Sequence, residues 1–139
     1  MDLFRGYVKT KNKACTQKFA NGEKLLTLEQ AQQLEEYAGI LADGIILVDI
    51  DDEKQSEILM DIVEELQLNC RVYQTTRGRH FYFKNDGVRK CGTHLKLACG
   101  LEADVKLGSK NSYAILKFDN KERFIEWEEE NNTLDELPK

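Results

Sequence analysis

The chain has 139 residues, of which 41% are hydrophobic and 32% are charged, a composition typical of one soluble globular domain. Its formal net charge of −5 argues against a protein that wraps extended duplex nucleic acid through overall positive charge. No apolar run approaches membrane-spanning length, and the start lacks the apolar core of a signal peptide. We therefore interpret the four cysteines as reduced thiols of a cytoplasmic protein.

The first half of the chain alternates strands with helices. The run "LFRGYV" predicts a strand, and Thr27 with Gln30 forms a capping box that begins a helix. That helix is expected to carry an apolar stripe made of Leu28, Ala31, Leu34, Tyr37, Ala38 and Leu41. The run "IILVDI", residues 45–50, predicts a strand buried on both faces, and Asp52 is expected to cap a helix over residues 53–66. The buried face of this second helix is predicted to consist of Ile58, Leu59, Ile62, Val63 and Leu66.

The second half of the chain consists mainly of predicted strands. They are "CRVYQTT", "RHFYFK", "LEADVKL" and "SYAILKF", while the segment "ERFIEW" fits either a strand or a short helix. Side chains alternate between the two faces of a strand, so the predicted sheet core is Ile46, Val48, Ile50, Phe81, Phe83 and Val105.

Two aspartates one residue apart stand at the end of the strand over residues 45–50. Asp49 and Asp51 point the same way and repel each other unless a cation lies between them. Further along, Asp104 lies on a strand face with Glu102 and Lys106. If that strand pairs with the first, Asp104 becomes a third carboxylate of a Mg²⁺ or Mn²⁺ site and Lys106 faces a phosphate beside the metal. The alternative for Asp104 is a solvated charge on an exposed strand.

A second informative stretch is "TTRGRHFYF", residues 75–83. Gly78 permits a tight turn with close backbone approach to a ligand, and two arginines and a histidine, Arg77, Arg79 and His80, flank it. Arginine binds phosphate oxygens in a bidentate fork, so the cluster is compatible with a polyphosphate clamp. Taken alone, His80 is more simply explained as a surface group.

Three segments in this order resemble the motifs of the archaeo-eukaryotic primase superfamily: Asp49-Ile50-Asp51, Gly78-Arg79-His80 and Ala103-Asp104. The similarity is greatest to the primase–polymerase (prim-pol) domains of phages, plasmids and other mobile elements, and it spans about residues 3–118. It implies an α+β fold in which an RRM-like mixed or antiparallel sheet with flanking helices lies beside a small αβ unit, with the active site in the cleft between them. We interpret residues 1–139 as a single catalytic domain of this kind, or as the N-terminal part of a longer replication protein.

The resemblance also implies an activity. A prim-pol domain is a template-directed nucleotidyltransferase, a DNA primase and polymerase that transfers nucleotides from NTP or dNTP to a 3′-hydroxyl. Asp49, Asp51 and Asp104 would hold two Mg²⁺ or Mn²⁺ ions per site, and His80 would contact the nucleotide. The expected phosphate-binding residues are Arg77, Gly78, Arg79, His80, Lys106, Ser109 and Lys110. The implied partners are a single-stranded DNA template, nucleotides and a helicase in cis or in trans, with no membrane.

Two other functions fit parts of the pattern. A non-catalytic module that binds single-stranded or origin DNA would use the aromatic residues Tyr73, Phe81 and Tyr82 for stacking, and a metal-dependent nuclease would use the same carboxylates. Clustered acids favour catalysis over binding alone, and the arginine–histidine cluster favours a transferase over a nuclease. The segment "CGTHLKLAC" supplies three zinc-ligand types where a structural site normally has four, so we expect no zinc at Cys91, His94 and Cys99.

Overall fold

The structure of the protein is a computed structural model that describes residues 3–15, 25–85, 87, 92–96, 101–110, 112–131 and 133–136. These residues form two antiparallel sheets and two helices, which confirms the predicted α+β class. Neither helix in these ranges combines the length and the apolar character that crossing a bilayer requires.

The elements follow one another along the chain, with strands in the majority. They are β1 (Phe4–Lys11), β2 (Ala14–Cys15), α1 (Leu28–Gln32), β3 (Tyr37–Leu41), β4 (Ile45–Ile50), α2 (Glu53–Leu66), β5 (Arg71–Gln74), β6 (Arg79–Lys84), β7 (Gly92–Lys96), β8 (Glu102–Leu107), β9 (Tyr113–Phe118), β10 (Lys121–Glu122) and β11 (Ile125–Trp127). A single 3₁₀ turn, Gly108–Lys110, follows β8. The segment "ERFIEW", which fitted a strand or a short helix, contains the last residue of β10 and all of β11, so it is not a helix.

The strands form a five-stranded sheet and a six-stranded sheet. The first has the order β10-β9-β3-β1-β2, and the second has the order β11-β5-β6-β4-β8-β7. All pairings between these strands are antiparallel. Strand β4 lies between β6 and β8, so residues from three separate parts of the chain become neighbours around its end.

Helix α1 begins as predicted but is much shorter than expected. The Thr27 hydroxyl accepts from the backbone N–H of Gln30, and the Gln30 side chain accepts from the backbone N–H of Thr27, which confirms the capping box. The helix ends at Gln32, and residues 37–41 form β3, where every residue is buried between β1 and β9. The predicted helical stripe through Tyr37–Leu41 is therefore wrong, because a short run of apolar residues fits a central strand as well as a helix face.

Helix α2 has the predicted bounds, and the side chain of Asp52 caps it by accepting from the backbone N–H of Gln55 at 3.0 Å. Its buried face is narrower than predicted. Leu59, Met60 and Val63 are buried against the six-stranded sheet, and Ile62 packs partly against the same cluster. Ile58 and Leu66 were expected in this face but are 49% and 59% exposed, because only one side of the helix contacts the sheet.

The six-stranded sheet is covered on both faces. All six predicted core residues are buried on the face that contacts α2, which confirms the strand register. The opposite face is covered too, as predicted for β4 but not for β6: Leu47 and Tyr82 are fully buried there against Phe4 and Leu41 of the five-stranded sheet. The Phe4 and Tyr82 rings meet edge to face with their centroids 5.4 Å apart. The two sheets thus share an apolar interface that extends along β4 up to Leu47.

Paired substitutions of the same chemistry test this assignment of inside and outside. Ile46→Val removes one methyl group from a residue that is 1% exposed, and it is expected to lower the free energy of unfolding by about 1 kcal/mol. Ile58→Val removes the same group from the exposed side of α2 and is expected to change it by no more than about 0.5 kcal/mol. Urea unfolding measures both. Equal losses at the two positions would show that Ile58 is packed.

Candidate active site

One cross-strand row brings three of the predicted site residues together. Asp49 on β4 lies directly opposite His80 on β6 and, on its other side, directly opposite Asp104 on β8. Opposed residues of neighbouring antiparallel strands have Cβ atoms about 5 Å apart. The Nε2 atom of His80 lies 3.3 Å from Oδ1 of Asp49, and both side chains are largely buried. The order of the strands, rather than sequence proximity, thus assembles an imidazole–carboxylate–carboxylate row with Asp49 in the middle.

The second aspartate of the pair lies just beyond the end of β4. Oδ2 of Asp51 lies 2.8 Å from Nη2 of Arg77, in an ion pair whose two side chains are 56% and 72% exposed. Exposed pairs of this kind contribute little to stability, about 0–1 kcal/mol. Arg77 therefore neutralises Asp51 loosely and remains available to a ligand.

Gly78 is needed for packing inside the protein. A Cβ atom at this position would overlap the carbonyl oxygen of Ile50, the residue between the two aspartates. The turn is closed by two further bonds, since the backbone N–H of Gly78 donates to the Thr75 hydroxyl at 3.1 Å and the N–H of Thr75 donates to the Gly78 carbonyl at 3.0 Å. The close backbone approach predicted at Gly78 is thus made to β4 and fixes where Asp49 and Asp51 stand.

Gly78→Ala is expected to lower the free energy of unfolding by about 1–3 kcal/mol, because the new methyl group has no space against the Ile50 carbonyl. It should also lower any activity that depends on Asp49 and Asp51 at temperatures where the variant is still folded. Thermal unfolding and activity are measured alongside Ser109→Ala, an exposed site expected to change neither. Unchanged stability of the Gly78→Ala variant would contradict the close contact.

Two cavities of opposite charge lie side by side at the end of β4. The acidic cavity is lined by Asp49, Asp51, Asp52, Gln55, Arg77, Glu102, Ala103 and Asp104. The basic cavity has a volume of about 340 Å³ and is lined by Lys13, Asp49, Asp51, Thr75, Thr76, Arg77, His80, Lys106, Tyr113, Ala114, Ile115 and Arg123. Its lining comes from both sheets, so it lies in the cleft between them. Asp49, Asp51 and Arg77 line both cavities and form the boundary they share.

The cations of the basic cavity act on the buried carboxylate. Burial opposes ionisation of Asp49, but the hydrogen bond from His80 and the positive charges of His80, Lys106 and Arg123 outweigh it, so the pKa of Asp49 is lowered. Burial disfavours the charged imidazole and lowers the pKa of His80, although Asp49 favours the charged form. At neutral pH the group is therefore an ionised Asp49 beside a neutral His80 that donates to it.

The structure does not bring Arg79 to the predicted phosphate clamp. Its side chain points to the opposite face of β6 from His80 and is only 10% exposed. Its Nε lies 2.8 Å from Oε1 of Glu126, and its Nη1 lies 3.2 Å from Oε1 of Glu53 and 2.8 Å from Oγ of Ser56. Arg79 thus joins β6 to α2 and to β11. Because side chains alternate along a strand, residues 79 and 80 point to opposite faces, and the separation of Arg79 from His80 could have been predicted from the sequence.

Ser109 and Lys110 also lie away from the two cavities. Both are exposed in the 3₁₀ turn that follows β8. Because β8 is antiparallel to β4, its start lies beside Asp49 and its end lies beside the start of β4, so the turn is about 16 Å along the strand from Asp104. Lys106, by contrast, lines the basic cavity as predicted.

Two cations of the basic cavity were not predicted from the sequence. Lys13 lies in the turn between β1 and β2, and its Nζ lies 5.1 Å from the centre of the Phe118 ring. Arg123 lies in the connection between β10 and β11. Lysines are frequent near Lys13, and Arg123 stands in the charged run "DNKERF", so neither differs in sequence from an ordinary surface charge.

The acidic cavity offers the ligands that a hard divalent cation prefers, namely the carboxylate oxygens of Asp49, Asp51 and Asp104. Within the part of the chain that the structure describes, no three His, Cys, Asp or Glu side chains are grouped tightly enough to hold a metal ion by themselves. Magnesium commonly takes one or two carboxylates and completes its shell with water and substrate phosphates. The arrangement fits a cation held jointly with a phosphate ligand. The zinc prediction concerns Cys91, His94 and Cys99, whose side chains lie outside the described residues.

No protein-family model, no curated protein and no solved structure matches this chain.

Proposed function

We propose that the protein is a template-directed nucleotidyltransferase, a DNA primase and polymerase that acts in the replication of a phage or other mobile element. The observation that carries the proposal is the pair of abutting cavities with opposite charge. A nucleoside triphosphate with a divalent cation needs an acidic site for the metal and a basic site for the phosphates, in contact with each other. Asp49 and Asp51 stand where the two meet.

In this proposal the carboxylates of Asp49, Asp51 and Asp104 hold Mg²⁺ or Mn²⁺, two ions per active site. When bound, the metal supplies charge stabilisation of the transferring phosphoryl group and lowers the pKa of the attacking 3′-hydroxyl. The residues themselves contribute position. Asp49 is fixed by the hydrogen bond from His80, and the Gly78 contact fixes the backbone between the two aspartates.

His80, Lys106 and Arg77 line the basic cavity and are proposed to bind the phosphates of the incoming nucleotide. Arg77 is suited to this role because its ion pair with Asp51 is exposed and exchanges easily. Phosphoryl transfer depends mainly on positioning and on electrostatic stabilisation, and a cleft rich in both signs of charge supplies these. The cationic cavity also favours a transferase over a nuclease, since a nuclease handles no free triphosphate.

The arrangement of strands supports the same proposal. We propose that the six-stranded sheet is RRM-like, and its strand order supports this: the β4-α2-β5-β6 run places β4 and β6 side by side in the order β5-β6-β4-β8, as a split βαβ unit does. The basic cavity lies between this sheet and the five-stranded sheet, as a cleft active site requires. A single-stranded DNA template, NTP or dNTP, a helicase in cis or in trans and a cytoplasmic location belong to the proposal.

The test is incubation with a single-stranded DNA template, labelled nucleotides and Mn²⁺ or Mg²⁺, followed by separation of the products by size. Metal-dependent incorporation on the template, by extension or de novo, supports the proposal. Shortening of the template without incorporation would identify a nuclease instead. Tight template binding with neither product would identify a non-catalytic binding module.

A further inference from the structure

Arg123 occupies the point where the chain passes from one sheet to the other. Its backbone N–H donates to the Leu116 carbonyl on β9 at 2.8 Å, while the carbonyl of the next residue, Phe124, accepts from the N–H of Gln74 on β5 at 2.9 Å. The backbone is therefore held by both sheets. Phe124 is 62% exposed, whereas the side chain of Arg123 is partly buried and lines the basic cavity.

Arg123 differs from the three arginines that pair with a carboxylate. Arg71, Arg77 and Arg79 each lie within 3 Å of a carboxylate oxygen, on Glu129, Asp51 and Glu126 respectively. Arg123 has no ion-pair partner among the residues that the structure describes. Burial lowers the pKa of its guanidinium, and the negative charge of Asp49 only partly offsets this. A partly desolvated cation that no carboxylate contacts directly is unfavourable for the folded protein by itself.

We propose that Arg123, together with Lys13, binds the pyrophosphate portion of a nucleotide and thereby ties the two sheets to one ligand; this assignment rests on the proposed nucleotidyltransferase function. Lys106 and His80 reach the same cavity from the six-stranded sheet. Five cationic or imidazole groups around about 340 Å³ match a compact, highly charged anion better than a phosphodiester strand, which carries one charge per nucleotide.

The proposal predicts how substitution of Arg123 changes both the melting temperature and the affinity for pyrophosphate. Because Arg123 is partly buried and has no carboxylate within ion-pair distance among the described residues, Arg123→Met is expected to leave the melting temperature of the ligand-free protein unchanged or to raise it. The same substitution is expected to weaken binding of inorganic pyrophosphate about tenfold to hundredfold, the loss of one charge-assisted contact. A residue kept for structure would show the opposite pair of effects.

The experiment is calorimetric titration of the protein with inorganic pyrophosphate, without metal or template, together with a thermal melt. Lys121→Met is the matched control, since it removes the same charge from an exposed residue two positions away and should bind like the wild type. A single-stranded oligonucleotide is titrated in parallel and should bind Arg123→Met and wild type equally. The proposal is overturned if the wild type binds no pyrophosphate, if Arg123→Met binds it equally well, if only its oligonucleotide affinity falls, or if it melts several degrees lower.

The outcome is separable from that of the proposed function. If the protein binds pyrophosphate through Arg123 but incorporates no nucleotide, the anion site is supported and the polymerase function is rejected. Incorporation that survives Arg123→Met with unchanged nucleotide requirement would retain the polymerase and reject the site.

Discussion

Replacing both Asp49 and Asp51 by asparagine is expected to reduce metal-dependent nucleotide incorporation by at least about a thousandfold, in effect to background. The two residues are the only aspartates that line both cavities among the described residues, so the substitution removes both negative charges where the proposed metal and phosphate sites meet. Asparagine keeps the shape and still accepts the hydrogen bond from His80, but it lacks the charge that a divalent cation requires. Incorporation of labelled nucleotide on a single-stranded template measures the effect.

The control for this variant is Asp61→Asn, which removes the same charge from an exposed position on α2 and should leave incorporation unchanged. The double variant is expected to remain folded, with a free energy of unfolding within about 1 kcal/mol of the wild type, because the pair Asp51–Arg77 is exposed and asparagine at position 49 still accepts the hydrogen bond from His80. Incorporation by a folded double variant at more than a few per cent of the wild-type rate would place the chemistry elsewhere.

Arg79→Met is expected to lower the free energy of unfolding by about 3–5 kcal/mol, the cost of removing one partner from a buried ion pair. The Arg79 side chain is 10% exposed, and its main partner Glu126 is 20% exposed and would keep its charge. The bonds to Glu53 and to the buried hydroxyl of Ser56 would be lost as well. Denaturant unfolding measures the loss. Nucleotide affinity, measured where the variant is still folded, should stay close to that of the wild type.

The matched comparison is Arg77→Met, two residues earlier and on the other side of the turn. Its ion pair is exposed, so the variant should lose no more than about 1 kcal/mol of stability, yet it should bind nucleotide more weakly. The two arginines are thus expected to separate stability from binding. If Arg79→Met left stability unchanged and weakened nucleotide binding, Arg79 would be a phosphate-binding residue, as the sequence predicted.

Local patterns predicted most of the six-stranded sheet. The apolar run of β4, the alternation around Phe81 and Phe83, and the cap at Asp52 each depend on near neighbours in the chain, and the structure has them all. The five-stranded sheet was harder to predict, since β3 is a short apolar run that also fits a helix. The burial of Tyr82 by this sheet is a long-range contact, which the residues near Tyr82 do not predict.

The candidate site was likewise predictable where it depends on local sequence and unpredictable where it depends on long-range contacts. The sequence identifies four of the candidate site residues. Asp49 and Asp51 lie one residue apart and face the same way, and His80 and Asp104 follow in the order of the prim-pol motifs that the sequence resembles. Their direct apposition depends on β4 lying between β6 and β8, a long-range pairing that no local pattern specifies. Arg123 reaches the cavity only because the chain changes sheets at that residue, and nothing nearby in sequence indicates this.

We propose that a divalent cation and a nucleotide occupy two adjoining cavities with Asp49 and Asp51 between them. The most direct measurement is the dissociation constant of a non-hydrolysable nucleoside triphosphate, with and without Mn²⁺, for the wild type and for the double asparagine variant. We predict that Mn²⁺ tightens binding to the wild type at least about tenfold, a coupling of about 1.4 kcal/mol, and that the double variant loses this gain. If Mn²⁺ increased nucleotide affinity equally in the two proteins, or not at all in the wild type, Asp49 and Asp51 would not join a metal site to a nucleotide site.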